Sequence, residues 1–280
     1  MIITRLKDGR FVIPDFQRDF EWRPWDILEL MRSIFLDYYI GSLLLWKGKR
    51  ENFDALSCEP IYGHDNTNGN REYIVLDGQQ RLTALYYVFM APDVPLPNRT
   101  NRYFYFIRVN KFMTGEHDDA FEYRWLKGWR TKFLENQNEQ YKAHIFPLSV
   151  IGEGGFQLAN WAQNYEKYWR DEATALVEND DREKFEAATQ HADDAKEFGE
   201  YLNDIIHQYQ ISYIELDQDL TIDKVCDIFT QVNSRGIQLD VFDLVNAMLK
   251  PKDLQLKLMW RTAAPRLEFV DTKKMNVYVL

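Results

Sequence analysis

The sequence predicts an α+β protein: a small mixed β-sheet core with a large helical insertion and a helical C-terminal part. Three observations predict it. Short runs of strand character recur at 42–46, 73–76, 103–109 and 211–216, each bounded by turn residues. Helical spacing of apolar residues dominates from about 118 to 210, with a break near Gly152, Gly154 and Gly155. Apolar helical spacing returns after residue 221. The expected division is therefore 1–117 as an α/β core, 118–210 as a helical insertion, and 211–280 as the last core strand with C-terminal helices.

Taken in order, FVIPDFQRDFEW (11–22) reads as a loop closing a short extended segment, because Pro14 pushes Ile13 towards extended backbone. Pro24 then sits at a helix start, and Ile27, Leu28, Met31, Ile34 and Phe35 mark one apolar face. Gly41 ends that helix and Ser42–Trp46 is strand-like. Residues 47–72 are polar and read as a surface loop. Strand 73–76 follows, then a helix carrying Leu82, Leu85, Tyr86 and Phe89 at helical spacing. The prolines at 92, 95 and 97 mark a loop before strand 103–109. After strand 211–216, Thr221 is placed to cap a helix with Val225, Ile228, Phe229 and Val232 on its buried side. That helix is expected to stop at Ser234-Arg235-Gly236, and Asp240 to cap another with Asp243 in its first turn.

Composition narrows the function. With 280 residues, 45% hydrophobic and 28% charged, the chain is long and apolar enough to bury a substantial core. A net charge of −10 argues against a general nucleic-acid coat protein. The charge is uneven. Residues 171–204 hold twelve acidic and three basic side chains, a solvated helical face or a dock for a basic partner. Residues 99–132 hold eight basic and four acidic ones, interleaved with Tyr103, Phe104, Tyr105, Trp125 and Trp129. Such a stretch can track a phosphate backbone and stack bases; a solvated face over ordinary core aromatics is the other reading. Two cysteines, Cys58 and Cys226, make no CxxC pair and so no zinc knuckle. The N-terminus lacks the apolar core of a signal peptide, and the run Tyr38–Trp46 is too short to span a bilayer. A cytoplasmic protein is expected.

The segment IVLDGQQRLTALY (74–86) carries the clearest chemistry. Local folding accounts for part of it: Asp77 is a good helix N-cap and Gln80, three residues on, completes a capping box. Gln79 and Arg81 exceed what capping needs. Anion capture accounts for them. A helix N-terminus offers unpaired N–H groups and a positive dipole end, Gly78 lets a phosphate approach the backbone, and Arg81 adds a fork of donors. Gln79 and Gln80 suit a base edge, a ribose or a water. There is no Walker loop. Gln17 and Arg18 can close over a bound nucleotide. Asn233 and Arg235 form a polar corner that can face the same ligand, although Gly236 also reads simply as a C-cap. The five histidines are scattered without metal-ligand spacing.

IPDFQRDFEW (13–22), YIGSLLLW (39–46), YIVLDGQQRLTALY (73–86) and FTQVNSRGIQLDVFDLVNAML (229–249) together resemble the N-terminal domain of the GmrSD-type restriction endonucleases, within the ParB/sulfiredoxin-like superfamily. The middle region, about 118–210, carries least of the resemblance. The resemblance implies a small mixed sheet with helices and a phosphate-binding Gly-x-x-Arg turn, matched by Gly78 and Arg81. It implies NTP binding and hydrolysis that gates cleavage of modified phage DNA, the cut being made by an HNH-type nuclease domain or subunit. No HNH-like cluster follows the Asn233 segment, so that nuclease is expected on a partner or a missing domain. Sulfiredoxin chemistry is not expected, because the turn holds no cysteine.

Three readings follow. In the first, the turn binds an NTP with Mg²⁺: Gly78 and Arg81 on phosphate, Asp77 on the metal or an attacking water, Gln79 or Gln80 orienting that water or the base. Gln17 and Arg18 then close the pocket, Arg18 stabilising charge on the transferred phosphoryl group. In the second, the domain itself cuts DNA through a metal at Asp77, although no second carboxylate lies close to it in sequence. In the third, the turn holds a DNA phosphate without NTP, and Arg124, Lys127 and Arg130 carry the duplex. No membrane partner is expected; the oligomeric state is left open.

Overall fold

The computed structural model describes residues 2–65, 70–177 and 182–233, with Met259 and Thr262. In chain order the elements begin with α1 (Ile2–Lys7), β1 (Phe11–Ile13), α2 (Pro24–Phe35), β2 (Leu43–Lys47), α3 (Arg50–Ala55), β3 (Glu59–Pro60), β4 (Tyr73–Asp77) and α4 (Gln79–Met90). They continue with β5 (Phe104–Arg108), α5 (Val109–Met113), α6 (His117–Ala120), β6 (Phe121–Arg124), α7 (Lys127–Phe133), α8 (Gln137–Lys142) and β7 (Ile145–Pro147). Helices α9 (Val150–Glu153), α10 (Gly155–Val177) and α11 (Arg182–Gln208) precede β8 (Tyr213–Leu216) and α12 (Ile222–Asn233). The fold is α+β.

Two compact units form: residues 1–20, 42–82 and 212–280, and residues 21–41 and 83–211. The first is built on a five-stranded mixed sheet of order β3-β1-β4-β2-β8. β4 lies at its centre, parallel to β1 and antiparallel to β2. Its apolar run is continuous because Tyr73, Ile74, Val75 and Leu76 are all buried. β8 pairs in parallel with β2, so strand 211–216 does return to the core sheet. Val12, Phe16, Leu44, Trp46, Ile74, Leu76, Val225 and Phe229 share one core cluster. Residues 47–72, expected as a surface loop, contain α3 and β3. Phe53, Leu56 and Cys58 anchor that stretch in the same cluster, and these few apolar contacts outweigh its polar composition. On α12, Lys224 N–H reaches Thr221 Oγ1 at 3.4 Å, and Val225 and Phe229 are buried. Val232, expected inside, is 52% exposed. The proposed stop at 234–236 and the helix after Asp240 lie outside the described residues.

The second unit holds a separate antiparallel sheet of order β6-β5-β7. Strand 103–109 was expected in the core sheet; as β5 it pairs instead with β6 and β7. The span 118–210 is accordingly not all helix. Its helical part centres on the α10–α11 pair, where Ala188, Ala192, Ala195, Phe198, Leu202 and Ile205 form a buried stripe. Small residues let the helices approach closely: a Cβ on Gly199 would stand 3.0 Å from Ala162 Cβ. The acidic side chains of α11 lie mostly on its solvated side. α2 starts at Pro24 as expected, and Arg23 N–H donates to Asp26 Oδ2 at 2.8 Å. Its buried face is Ile27, Leu30, Met31, Ile34 and Phe35; Leu30 takes the place expected of Leu28.

Candidate functional site

The turn between β4 and α4 is built by Gly78. Its φ of +96° is strained for a side-chain-bearing residue. A Cβ there would also stand 2.2 Å from Leu43 Cδ2. The reason for glycine is therefore partly the packing of Leu43, beyond any approach of a ligand. The helix begins one residue later than a cap at Asp77 would place it: Gly78 directly precedes Gln79. Asp77 is the last residue of β4, opposite Leu44, and α4 starts at Gln79 with Leu82 N–H bonded to Gly78 O at 2.9 Å. Asp77 accepts from Arg81 Nη2 at 3.1 Å. The same Nη2 donates to Ser42 O at 2.8 Å. The Arg81 side chain is 16% exposed and that of Asp77 47%, so the carboxylate faces solvent while the guanidinium is tied to the scaffold.

The two glutamines do different things. Gln80 is 8% exposed, and its Nε2 donates to Asp19 O at 3.0 Å. Gln79 Oε1 is buried and has no hydrogen-bond partner among the described residues. A buried acceptor left unmatched costs about 1–3 kcal/mol, so this atom is the feature of the turn that the described residues do not explain.

The second motif comes to the same place. Phe16 and Phe20 are buried and anchor the loop after β1, while Arg18 and Asp19 are exposed. Phe16 packs on Phe229 with ring centroids 5.7 Å apart. Gln17 Nε2 donates to Leu76 O at 2.6 Å. The structure thus brings Gln17, Arg18 and Asp77–Arg81 together within the first unit. Trp22, the last residue of the quoted IPDFQRDFEW, belongs to the second unit. Asn233 is the last residue of α12, its side chain lies outside the described set, and so does all of Arg235. Sequence reasoning missed three participants: the Ser42 and Asp19 carbonyls and the Leu43 side chain. Ser42 and Leu43 lay within the quoted YIGSLLLW, but backbone acceptors carry no residue-type signal.

No group of three His, Cys, Asp or Glu side chains able to hold a metal forms among the described residues. Asp77 is the one acidic side chain of the turn itself, and Glu72, at the other end of β4, accepts from Arg10 at 3.1 Å. A protein-only metal cage does not fit this donor set. A Mg²⁺ that arrives on a triphosphate and takes one carboxylate does fit. Cys58 is buried in the core cluster, and burial pushes its thiol up to about 12, which removes it as a nucleophile.

The basic stretch 99–132 lies in the second unit, and much of its charge is matched. Arg102 pairs with Asp93, Arg108 and Arg124 with Glu122, Arg130 with Glu135 at 3.8 Å, and Lys132 with Glu139 at 3.7 Å. Arg108 and Arg124 lie over the Phe106 ring and Arg102 and Arg130 over Phe104. Trp129 stacks on Phe106 at 4.8 Å. Lys127 is exposed, beside Trp125 and Leu126, which are 45% and 60% exposed.

A mixed sheet whose central strand turns through glycine into a helix, with an arginine–aspartate pair at the turn and a second motif fastened over it, defines the class. The chain belongs to the family described as GmrSD restriction endonuclease, N-terminal domain, whose family model matches residues 2–250. It is thus a member of a DNA-restriction family. It is also 27% identical over 278 residues to a Methanocaldococcus jannaschii protein named "Uncharacterized protein MJ0686", covering 94% of this chain and 43% of that relative. The chain therefore spans less than half the length of that relative. Among the described residues, no helix is long and apolar enough to cross a membrane.

Proposed function

We propose that the β4–α4 turn binds the phosphates of an NTP accompanied by Mg²⁺, and that hydrolysis gates DNA cleavage by an HNH-type nuclease domain or subunit. The observation that carries this reading is the buried Gln79 Oε1, without a partner among the described residues, at the first residue of a helix whose N-terminal turn also holds Arg81 and borders Asp77. Backbone N–H groups at the start of α4 suit phosphate oxygens. Arg81 orients the Asp77 carboxylate and adds positive charge beside them. Gln79 Oε1 accepts from the attacking water or from a base edge. Arg18, on the loop fastened over the turn, faces charge that develops as water adds to the terminal phosphorus and the bond to the leaving phosphate breaks. When bound, Mg²⁺ neutralises charge on the phosphates. If Arg18 does this, Arg18→Ala lowers turnover on the order of 10³-fold; turnover equal to wild type would remove Arg18 from the mechanism.

Family membership supports DNA as the target. The modification on that DNA, and the separate nuclease, are part of the same proposal. A second reading has one observation in its favour. Exposed Lys127 next to exposed Trp125, with Arg124 and Arg130 nearby in sequence, suits a phosphate backbone with a stacked base. In that reading the chain binds DNA without NTP. The reading in which this domain cuts DNA itself draws no support from the described residues, among which no group of three His, Cys, Asp or Glu side chains able to hold a metal forms.

A further inference from the structure

The two motifs are joined by their glutamines in a reciprocal way. β1 pairs with β4 only at Phe11–Tyr73 and Val12–Ile74, and Pro14 follows its last residue. Beyond that point a side chain supplies the donor: Gln17 Nε2 reaches Leu76 O at 2.6 Å, with Val75 O at 3.4 Å. In return Gln80 Nε2, from the helix after β4, reaches Asp19 O at 3.0 Å. Each glutamine thus donates to the backbone of the other's segment, across 59 and 61 residues of chain. Phe16 and Phe20, buried on either side of the exposed Arg18–Asp19 pair, fix the ends of the span that the glutamines hold down.

We propose that Gln17 and Gln80 form a clasp that positions Arg18 over the turn, and that Gln80 acts on turnover through Arg18 and not through contact with the nucleotide or the water. The proposal rests on the nucleotide reading above for its catalytic half only. A side chain amide is suited to the task because it offers a donor to a carbonyl and no charge to compete with a polyphosphate. Gln80 is also 8% exposed with its donor committed to Asp19 O, which leaves Gln79, whose acceptor has no partner among the described residues, as the glutamine that meets substrate.

The test uses the full chain with Gln80→Glu, which keeps the shape but loses the donor, and Gln80→Met, which loses the amide without adding charge. Thermal melts select whichever variant folds as wild type does. Amide hydrogen exchange of peptides covering 15–20, without nucleotide, is expected to quicken about fivefold, the effect of losing one typical hydrogen bond. With NTP and Mg²⁺, kcat is expected to fall about tenfold or more while KM holds, as for a misplaced catalytic group. In the Arg18→Ala background the same Gln80 change is expected to have no further effect on kcat. Unchanged exchange at 15–20 would overturn the clasp. A Gln80 effect that persists in full without Arg18 would overturn the positioning role and place Gln80 on the substrate. Wild-type protein that turns over no NTP, with exchange quickened as expected, would sink the nucleotide reading while upholding the clasp.

Discussion

Replacing Gly78 with alanine tests how the turn is built. Two costs are visible. The backbone at φ +96° is a conformation that costs a side-chain-bearing residue about 1–3 kcal/mol. The new Cβ would stand 2.2 Å from Leu43 Cδ2, and Leu43 is 1% exposed, so it must leave its rotamer within a packed core at about 1–3 kcal/mol. The sum is about 2–6 kcal/mol. Urea unfolding followed by fluorescence reads it, because Trp46 is wholly buried in the same unit. Repeating the substitution in a Leu43→Ala background separates the terms: there the alanine at 78 should cost only its backbone share. A Gly78→Ala cost below about 0.5 kcal/mol would refute the reasoning, as would a cost that Leu43→Ala leaves unreduced.

Other outcomes follow from the second unit. His144 stacks on Trp169 at 4.7 Å, meets His191 edge-on at 4.4 Å, and shares a 2.7 Å hydrogen bond with Tyr165 Oη. Burial, then His191 and Arg108, lower it to about 4; burial also lowers His191, against Asp194. The fold therefore favours neutral His144, so stability is full above about 6.5, falls as pH drops towards about 4, and then levels. The loss is about 2 kcal/mol after discounting its residual exposure, and His144→Phe should flatten that limb of the stability–pH profile. Gly152→Ala would place a Cβ 2.0 Å from the Phe89 carbonyl oxygen; backbone cannot swing aside, so about 3 kcal/mol or more should be lost, read as a lowered unfolding temperature. If the second unit meets DNA, Lys127→Ala and Arg130→Ala should each reduce the slope of log affinity against log salt by about 1, measured by fluorescence anisotropy.

Several elements were legible because their signals are local. The run Ile74-Val75-Leu76 ending at Asp77-Gly78 marks β4, the turn and α4, and Pro24 marks α2. Pairing is not local. Tyr103–Val109 reads as a strand wherever it goes, and its assignment to a second sheet depends on Phe121–Arg124 and Ile145–Pro147, both too short to declare themselves. The candidate site divides in the same way. Residue types around Asp77–Arg81 announced polar chemistry, but the Asp19 carbonyl held by Gln80 lies 61 residues away and is a backbone group that any residue would supply. Asp77 illustrates the limit most clearly: the strand was expected to end at residue 76 but runs one residue further, and the Asp77 carboxylate pairs with Arg81.

The central claim, that the β4–α4 turn holds the phosphates of an NTP, is tested most directly by equilibrium titration with ATP, GTP, CTP and UTP in the presence of Mg²⁺. Wild type and Arg81→Ala are compared, with thermal melts to confirm that the variant is folded. The expected result is binding of at least one NTP by wild type and affinity at least about tenfold weaker in the folded variant, the loss of one charge-assisted phosphate contact. Absence of binding to all four, or equal affinity in both proteins, would contradict the claim and move the ligand of the turn to a DNA phosphate.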